Sequence, residues 1–143
     1  MQTSMGKVLV SAKIENLADL FAAEQGHLAG DQVRRVEVTD ALVDTGATTL
    51  LLPQRMIASL GLQPLRVRQA RGIGGTVPMT MYRAVRLTIQ GRDCTIDVGE
   101  VPDDFPVLAG QVPLELLDWV VDAKQQKLNG KPEHGGQQML DVF

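Results

Sequence analysis

From Lys7 to Ile14 the apolar residues Val8, Val10, Ala12 and Ile14 recur at every second position, the period of a strand with one buried face. Asn16 to Gln25 carries apolar residues at helical intervals but is short and runs into Gly26, which suits a turn or one or two helical turns. Val33, Val36 and Val38 then lead into Ala41, Leu42 and Val43, a β-branched run that stops at Asp44-Thr45-Gly46. Leu50 to Leu52 resume the apolar pattern. Pro53 stands where a first-turn proline belongs, so Gln54 to Leu60 reads as a helix closed by Gly61.

Further along, the segment from Leu65 to Ala70 and the alternating Val77, Met79 and Met81 flank Gly72, Gly74 and Gly75, which predicts a β-hairpin with a glycine-rich tip. Val85, Leu87 and Ile89 extend the second arm. A turn at Gln90 to Asp93 leads to Cys94, Ile96 and Val98 at period two, and Val107 to Gly110 forms another short apolar element. Leu114 to Asp118 suits a short helix, Trp119 to Val121 a strand, and Lys124 to Lys127 a turn toward Leu128. Many short strands with turns at roughly ten-residue spacing predict a mostly β, closed or sandwich-like domain with one or two short helices. The domain is expected over 1–128, with 129–143 loop-like in composition and a tail at its end.

Composition narrows the function. Aromatics are 3% of the 143 residues and the net charge is −3, which leaves little for base stacking or phosphate binding, so no nucleic-acid partner is expected. No apolar run reaches the roughly 20 residues of a membrane span, and the brief patch at Val8 to Val10 is too short for a signal peptide. A soluble, cytoplasmic protein with no membrane partner is expected. The single Cys94 excludes an internal disulfide and reads as a small hydrophobe. His27 and His134 lie far apart in polar, glycine-flanked stretches and read as loop histidines, so neither a Cys/His nucleophile nor a zinc site is expected.

The chemistry concentrates at Ala41-Leu42-Val43-Asp44-Thr45-Gly46-Ala47-Thr48. A carboxylate directly after three apolar residues is costly unless backbone N–H groups satisfy it. Gly46 permits the turn that aims amides at that carboxylate, and Thr45 can bond to nearby backbone. Taken alone, the tripeptide also suits a plain Asx turn closing a strand. Two later stretches sit in order behind it, Arg71 to Tyr82 around the glycine-rich tip and Val107 to Leu117 around a second apolar-apolar-Gly element.

With these three pieces the chain, from about Val36 to Val121, resembles the retropepsins, single-domain aspartic proteases of retroviral type and their cellular and bacterial relatives. The resemblance implies a retropepsin-like acid-protease barrel with a flap hairpin, catalysis by Asp44 with Thr45 and Gly46, and peptide binding by Ala47, Gly72, Ile73, Gly74 and Gly75. Val77, Met79 and Val107 are further candidates for subsite walls or plain core. No metal and no cofactor are implied. Such hydrolysis needs one carboxylate as base and one as acid, sharing a proton. A second Asp-Thr-Gly or Asp-Ser-Gly is absent; Asp97-Val98-Gly99 comes nearest and lacks the hydroxyl. The expectation is a homodimer that pairs Asp44 with its own copy and holds an extended peptide, Thr45 bracing the pair and Ile73 closing over the substrate.

Two departures mark this chain. Thr48 stands where viral members often carry an acidic residue, and Gln111 where they carry Arg, so both halves of a familiar ion pair are missing. The segments Trp119 to Val121 and Gln125 to Leu128 are candidates for the interface instead. Two rival readings stand beside the protease: a non-catalytic homodimeric peptide-binding or dimerisation module on the same fold, and a phosphate cradle at Gly72 to Thr76. The cradle is disfavoured because a strand rather than a helix follows it.

Overall fold

A computed structural model of the chain describes residues 7–72 and 74–142. The elements run β1 (Val8–Asn16), α1 (Leu17–Glu24), β2 (Arg35–Val43), β3 (Leu50–Pro53), α2 (Gln54–Leu60), β4 (Pro64–Gly72), β5 (Gly75–Ile89), β6 (Arg92–Val101), β7 (Leu108–Ala109), α3 (Gln111–Leu117), β8 (Trp119–Asp122) and β9 (Lys127–Gly130), with single 3-10 turns at Gly30–Gln32 and Pro132–His134. The main sheet is ordered β1-β2-β7-β3-β6-β5-β4, and β1 also pairs with β5, so six strands close into a ring. Among the described residues, β4 is the one strand of this sheet outside the ring, bonded to β5, and β8 pairs with β9 in a separate two-stranded sheet. The mostly β, closed architecture expected from the alternation is the one observed.

Alternation explains the ring directly. Val8, Val10, Ala12 and Ile14 of β1 are buried while Leu9 and Ser11 face out, and Val85, Leu87 and Ile89 of β5 are fully buried at the same period. These meet Ala41, Leu50, Leu52 and Val98 in one core, which supplies most of the driving force for closure. Cys94, opposite Leu87, packs against that core, and burial, with the Asp93 charge beside it, pushes its thiol up to about 11.

The helices differ from expectation in their ends. The weak pattern after Asn16 forms an eight-residue helix because Asn16 caps it, its side-chain oxygen taking the Asp19 N–H at 3.0 Å while its amide donates to the Leu60 carbonyl at 2.8 Å. Pro53 sits one residue before the first turn of α2 rather than within it, and Gly61 closes that helix at φ +65° as expected. α3 begins at Gln111, three residues earlier than Leu114, because Pro113 in a first turn gives up no helical hydrogen bond. Asp118, expected as its last residue, is instead the left-handed cap at φ 60°.

Beyond Asn129 the composition suggested loop, yet β9 continues to Gly130 and His134 is buried. His134 Nδ1 lies 2.6 Å from the buried Asp118 carboxylate, which also accepts the Met139 N–H. That pairing, His134 first, holds the Asp118 carboxyl below the ordinary carboxylate range despite its burial. Arg92 completes the tether by stacking on Trp119 and donating to the carbonyls of Leu117, Asp118 and Gly136. Among the described residues, no helix is long and apolar enough to cross a membrane.

Candidate active site

β2 delivers Asp44 to a turn whose geometry is fixed from both sides. Within the turn, the Gly46 N–H donates to Asp44 Oδ1 at 2.9 Å, and the Ala47 N–H donates to the Asp44 carbonyl at 3.0 Å. Outside it, the two residues of β7 are wedged between the strand entering the turn and the strand leaving it: β7 runs parallel to β2 and antiparallel to β3. The Asp44 N–H donates to the Ala109 carbonyl at 2.9 Å, and the Gly110 N–H to the Thr49 carbonyl at 3.0 Å. The grip continues into α3, whose Gln111 and Val112 N–H groups donate to the carbonyls of Ala47 and Thr48, both at 2.8 Å. Loop carbonyls and helix N–H groups thereby satisfy each other.

Gly110 is required by space. A Cβ at that position would stand 2.5 Å from the carbonyl oxygens of both Ala47 and Thr49. The second apolar-apolar-Gly element therefore acts as the clamp on the first. Asp44 is left half-buried, with Thr45 and Gly46 exposed beside it. Among the described residues no hydrogen bond other than the one from Gly46 reaches the Asp44 carboxylate, and no three His, Cys, Asp or Glu side chains converge as metal ligands.

The structure brings Asp44, Thr45, Gly46 and Ala47 together in this turn, and sets Gly72, Gly74 and Gly75 at the end of the β4–β5 hairpin, with Gly75 at φ +115°. Ile73 lies outside the described residues. Of the candidate subsite walls, Val77 is half exposed and Met79 packs over Gly99, whereas Val107 is core, 3% exposed, with its carbonyl bonded to the Leu42 N–H. Thr48 is exposed, and the Gln111 side chain donates to Glu115 at 2.7 Å, so the Gln111 amide is engaged within its own helix.

Three features escaped the sequence reading. The buried Asp118–His134 pair joins residues in stretches that look like a helix end and a loop, and the Arg92 tether crosses 44 residues to Gly136. The third is which of the nine arginines find a carboxylate within the fold.

Residues 28–112, more than half of the chain, match the model of an aspartyl protease family, and the chain belongs to that family. The matched interval contains the Asp44 turn, the whole β4–β5 hairpin and the Gly110 clamp. No curated protein matches the chain.

Proposed function

We propose that the chain is a retropepsin-like aspartic endopeptidase that works as a homodimer, each copy contributing Asp44 to one catalytic pair. The observation that carries the reading is a lone Asp-Thr-Gly turn, clamped rigidly from behind and open in front, with Thr45 and Gly46 exposed around a half-buried Asp44. Half an active site is what one such turn provides. Two carboxylates about 3 Å apart cannot both ionise, so the pair holds one proton and titrates as a unit. The ionised member takes a proton from water, whose oxygen bonds to the peptide carbon, while the protonated member donates to the carbonyl oxygen. Collapse of the tetrahedral intermediate breaks the C–N bond as a proton passes to the leaving nitrogen.

In this reading Gly46 and Thr45 hold the carboxylate and the dimer axis, Ala47 and the Gly72–Gly75 tip with Ile73 act as flap and peptide-binding elements, and no metal or cofactor takes part. The departure at Thr48 and Gln111 is in keeping with an interface that leans on apolar surface near Thr45: Val120 and Leu140 line the same hollow as Thr45 and are exposed. The proposed setting is cytoplasmic, where a lone thiol such as Cys94 stays reduced.

The test is incubation of wild type and Asp44→Asn with an unstructured protein from acidic to neutral pH, alongside sedimentation at micromolar concentration. Cleavage by the wild type, at least about a thousandfold reduced in Asp44→Asn, together with a dimer, is the expected result. Equal cleavage by both proteins removes the protease reading and leaves a non-catalytic dimeric module. Full activity in a species that sediments as a monomer removes the shared pair.

A further inference from the structure

The acidic and basic residues of this chain are unevenly placed. From Thr45 through Arg92 there is no Asp or Glu, while Arg55, Arg66, Arg68, Arg71, Arg83, Arg86 and Arg92 all fall there. Every one of the seventeen carboxylate side chains of an overall acidic chain lies outside that stretch. Nine arginines are present, and five are occupied: Arg34 on Asp19, Arg35 and Arg86 on Glu15, Arg55 on Asp103, and Arg92 on main-chain carbonyls and Trp119. The remaining four are Arg66, Arg68, Arg71 and Arg83. All belong to the β4–β5 hairpin, all are exposed, and among the described residues no carboxylate pairs with any of them, although Asp97 lines the same groove as Arg83.

Two of these cations stand on a defined face. Arg66 is directly opposite Met81 and Arg68 directly opposite Met79, and residues paired across an antiparallel ladder project to the same side. That side carries the Met79 and Met81 sulfurs over Gly99, where the Leu51 side chain also arrives. Leu51 belongs to β3, the strand that leaves the Asp44 turn. Arg66 and Arg68 therefore share the hairpin face that looks back over the strand emerging from the candidate active site. Arg71, opposite Thr76, lies on the other face, and among the described strands β4 is a sheet edge.

Resting on the protease reading above, we propose that the β4–β5 hairpin selects acidic polypeptide substrates, with Arg66 and Arg68 binding Asp or Glu side chains that flank the bond to be cut. Charge complementarity names the occupant. Arginines that no carboxylate of the described residues pairs with, on an otherwise acidic molecule, attract a segment of opposite sign and repel basic ones, which sets specificity and encounter rate more than raw affinity. A nucleic acid shares the sign, but a chain of net charge −3 with 3% aromatics has neither the field nor the stacking surface to favour it.

The experiment measures binding first, using Asp44→Asn and a fluorescent extended peptide carrying several glutamates, against the same peptide with glutamines. Expected is tighter binding of the glutamate peptide by about fivefold, weakening as salt is raised. In the Asp44→Asn background, Arg66→Gln with Arg68→Gln abolishes the discrimination, whereas Arg55→Gln, on α2, retains it. Equal affinity for the two peptides, discrimination that survives the double substitution, or stronger binding of a single-stranded oligonucleotide than of the glutamate peptide overturns the inference. Cleavage of the same peptides by the wild type is read separately. Selective binding without turnover keeps the acidic-peptide site and removes the protease, while turnover without selectivity does the reverse.

Discussion

The Asp44 turn and the β4–β5 hairpin are built on opposite principles. The turn is short, gripped by main-chain bonds from β7 and α3, and has almost no freedom to rearrange. The hairpin is long and bonded along one side only, and its side chains from Arg66 to Pro78 are exposed apart from a half-buried Ala70 and the undescribed Ile73. Chemistry that depends on carboxylate position within a few tenths of an ångström belongs on the first kind of element, and recognition of varied partners on the second. β5 joins the two regimes within one strand: among the described strands Thr76 to Thr80 pair only with β4, while Val85 to Thr88 are locked between β1 and β6.

Two glycines sharpen that contrast. Gly110→Ala drives a methyl group into the carbonyls of Ala47 and Thr49, and backbone held from both sides cannot yield. We expect a loss of about 3 kcal/mol or more in urea unfolding, with cleavage lost alongside it. Gly99→Ala meets atoms at nearly the same separation, 2.7 Å, but these are Leu51 Cδ2 and Met79 Sδ, the ends of flexible side chains. The expected cost is within about 1 kcal/mol, and the effect shows instead as altered peptide preference. Similar losses at the two positions would erase the distinction between a fixed and a yielding region.

A third prediction concerns the brace behind the clamp. Asp118 ends α3, and its carboxyl is held below its ordinary 3.8 chiefly by the hydrogen bond to His134, with the Met139 N–H and Lys131 helping against the opposing effect of burial. A carboxyl with a lowered folded-state pKa stabilises the fold above its unfolded value, and that contribution disappears as pH falls through the folded one. Stability of the wild type should therefore drop below about pH 4, and Asp118→Asn, which tolerates the left-handed cap, should show a shallower drop on acid unfolding. An unchanged acid slope would assign the brace to packing alone. Smallest is Val67→Thr, at a β4 position 61% exposed, which should shift the unfolding midpoint by no more than about 0.5 kcal/mol equivalent.

What the sequence revealed, and what it hid, follows the range of the forces involved. The Asp44 turn and the glycine-tipped hairpin were legible because each is made by neighbours: Gly46 answers Asp44 two residues away, and Met79 and Met81 alternate beside the turn they require. The ring was legible in outline from period-two burial at Val8 to Ile14 and Val85 to Ile89. The early start of α3 was not, because it depends on Gln111 and Val112 finding acceptors in a loop more than sixty positions earlier. His134 was misread for a related reason. Its polar, glycine-rich surroundings describe a loop, and the carboxylate of Asp118, brought in from the end of α3, offsets the cost of burial there. The arginines could be counted in the sequence, but that Arg34 and Arg35 pair with carboxylates while, among the described residues, none pairs with Arg66 or Arg68 is a property of the fold alone.

The wedge formed by Leu108 and Ala109 also has a bearing on synthesis. The ribosome releases Asp44 long before it releases the residues that seat it, so a growing chain carries the aspartate without its mould. Until Leu108 and Ala109 have followed it out, the nascent polypeptide holds Asp44 without the main-chain bonds that fix its position.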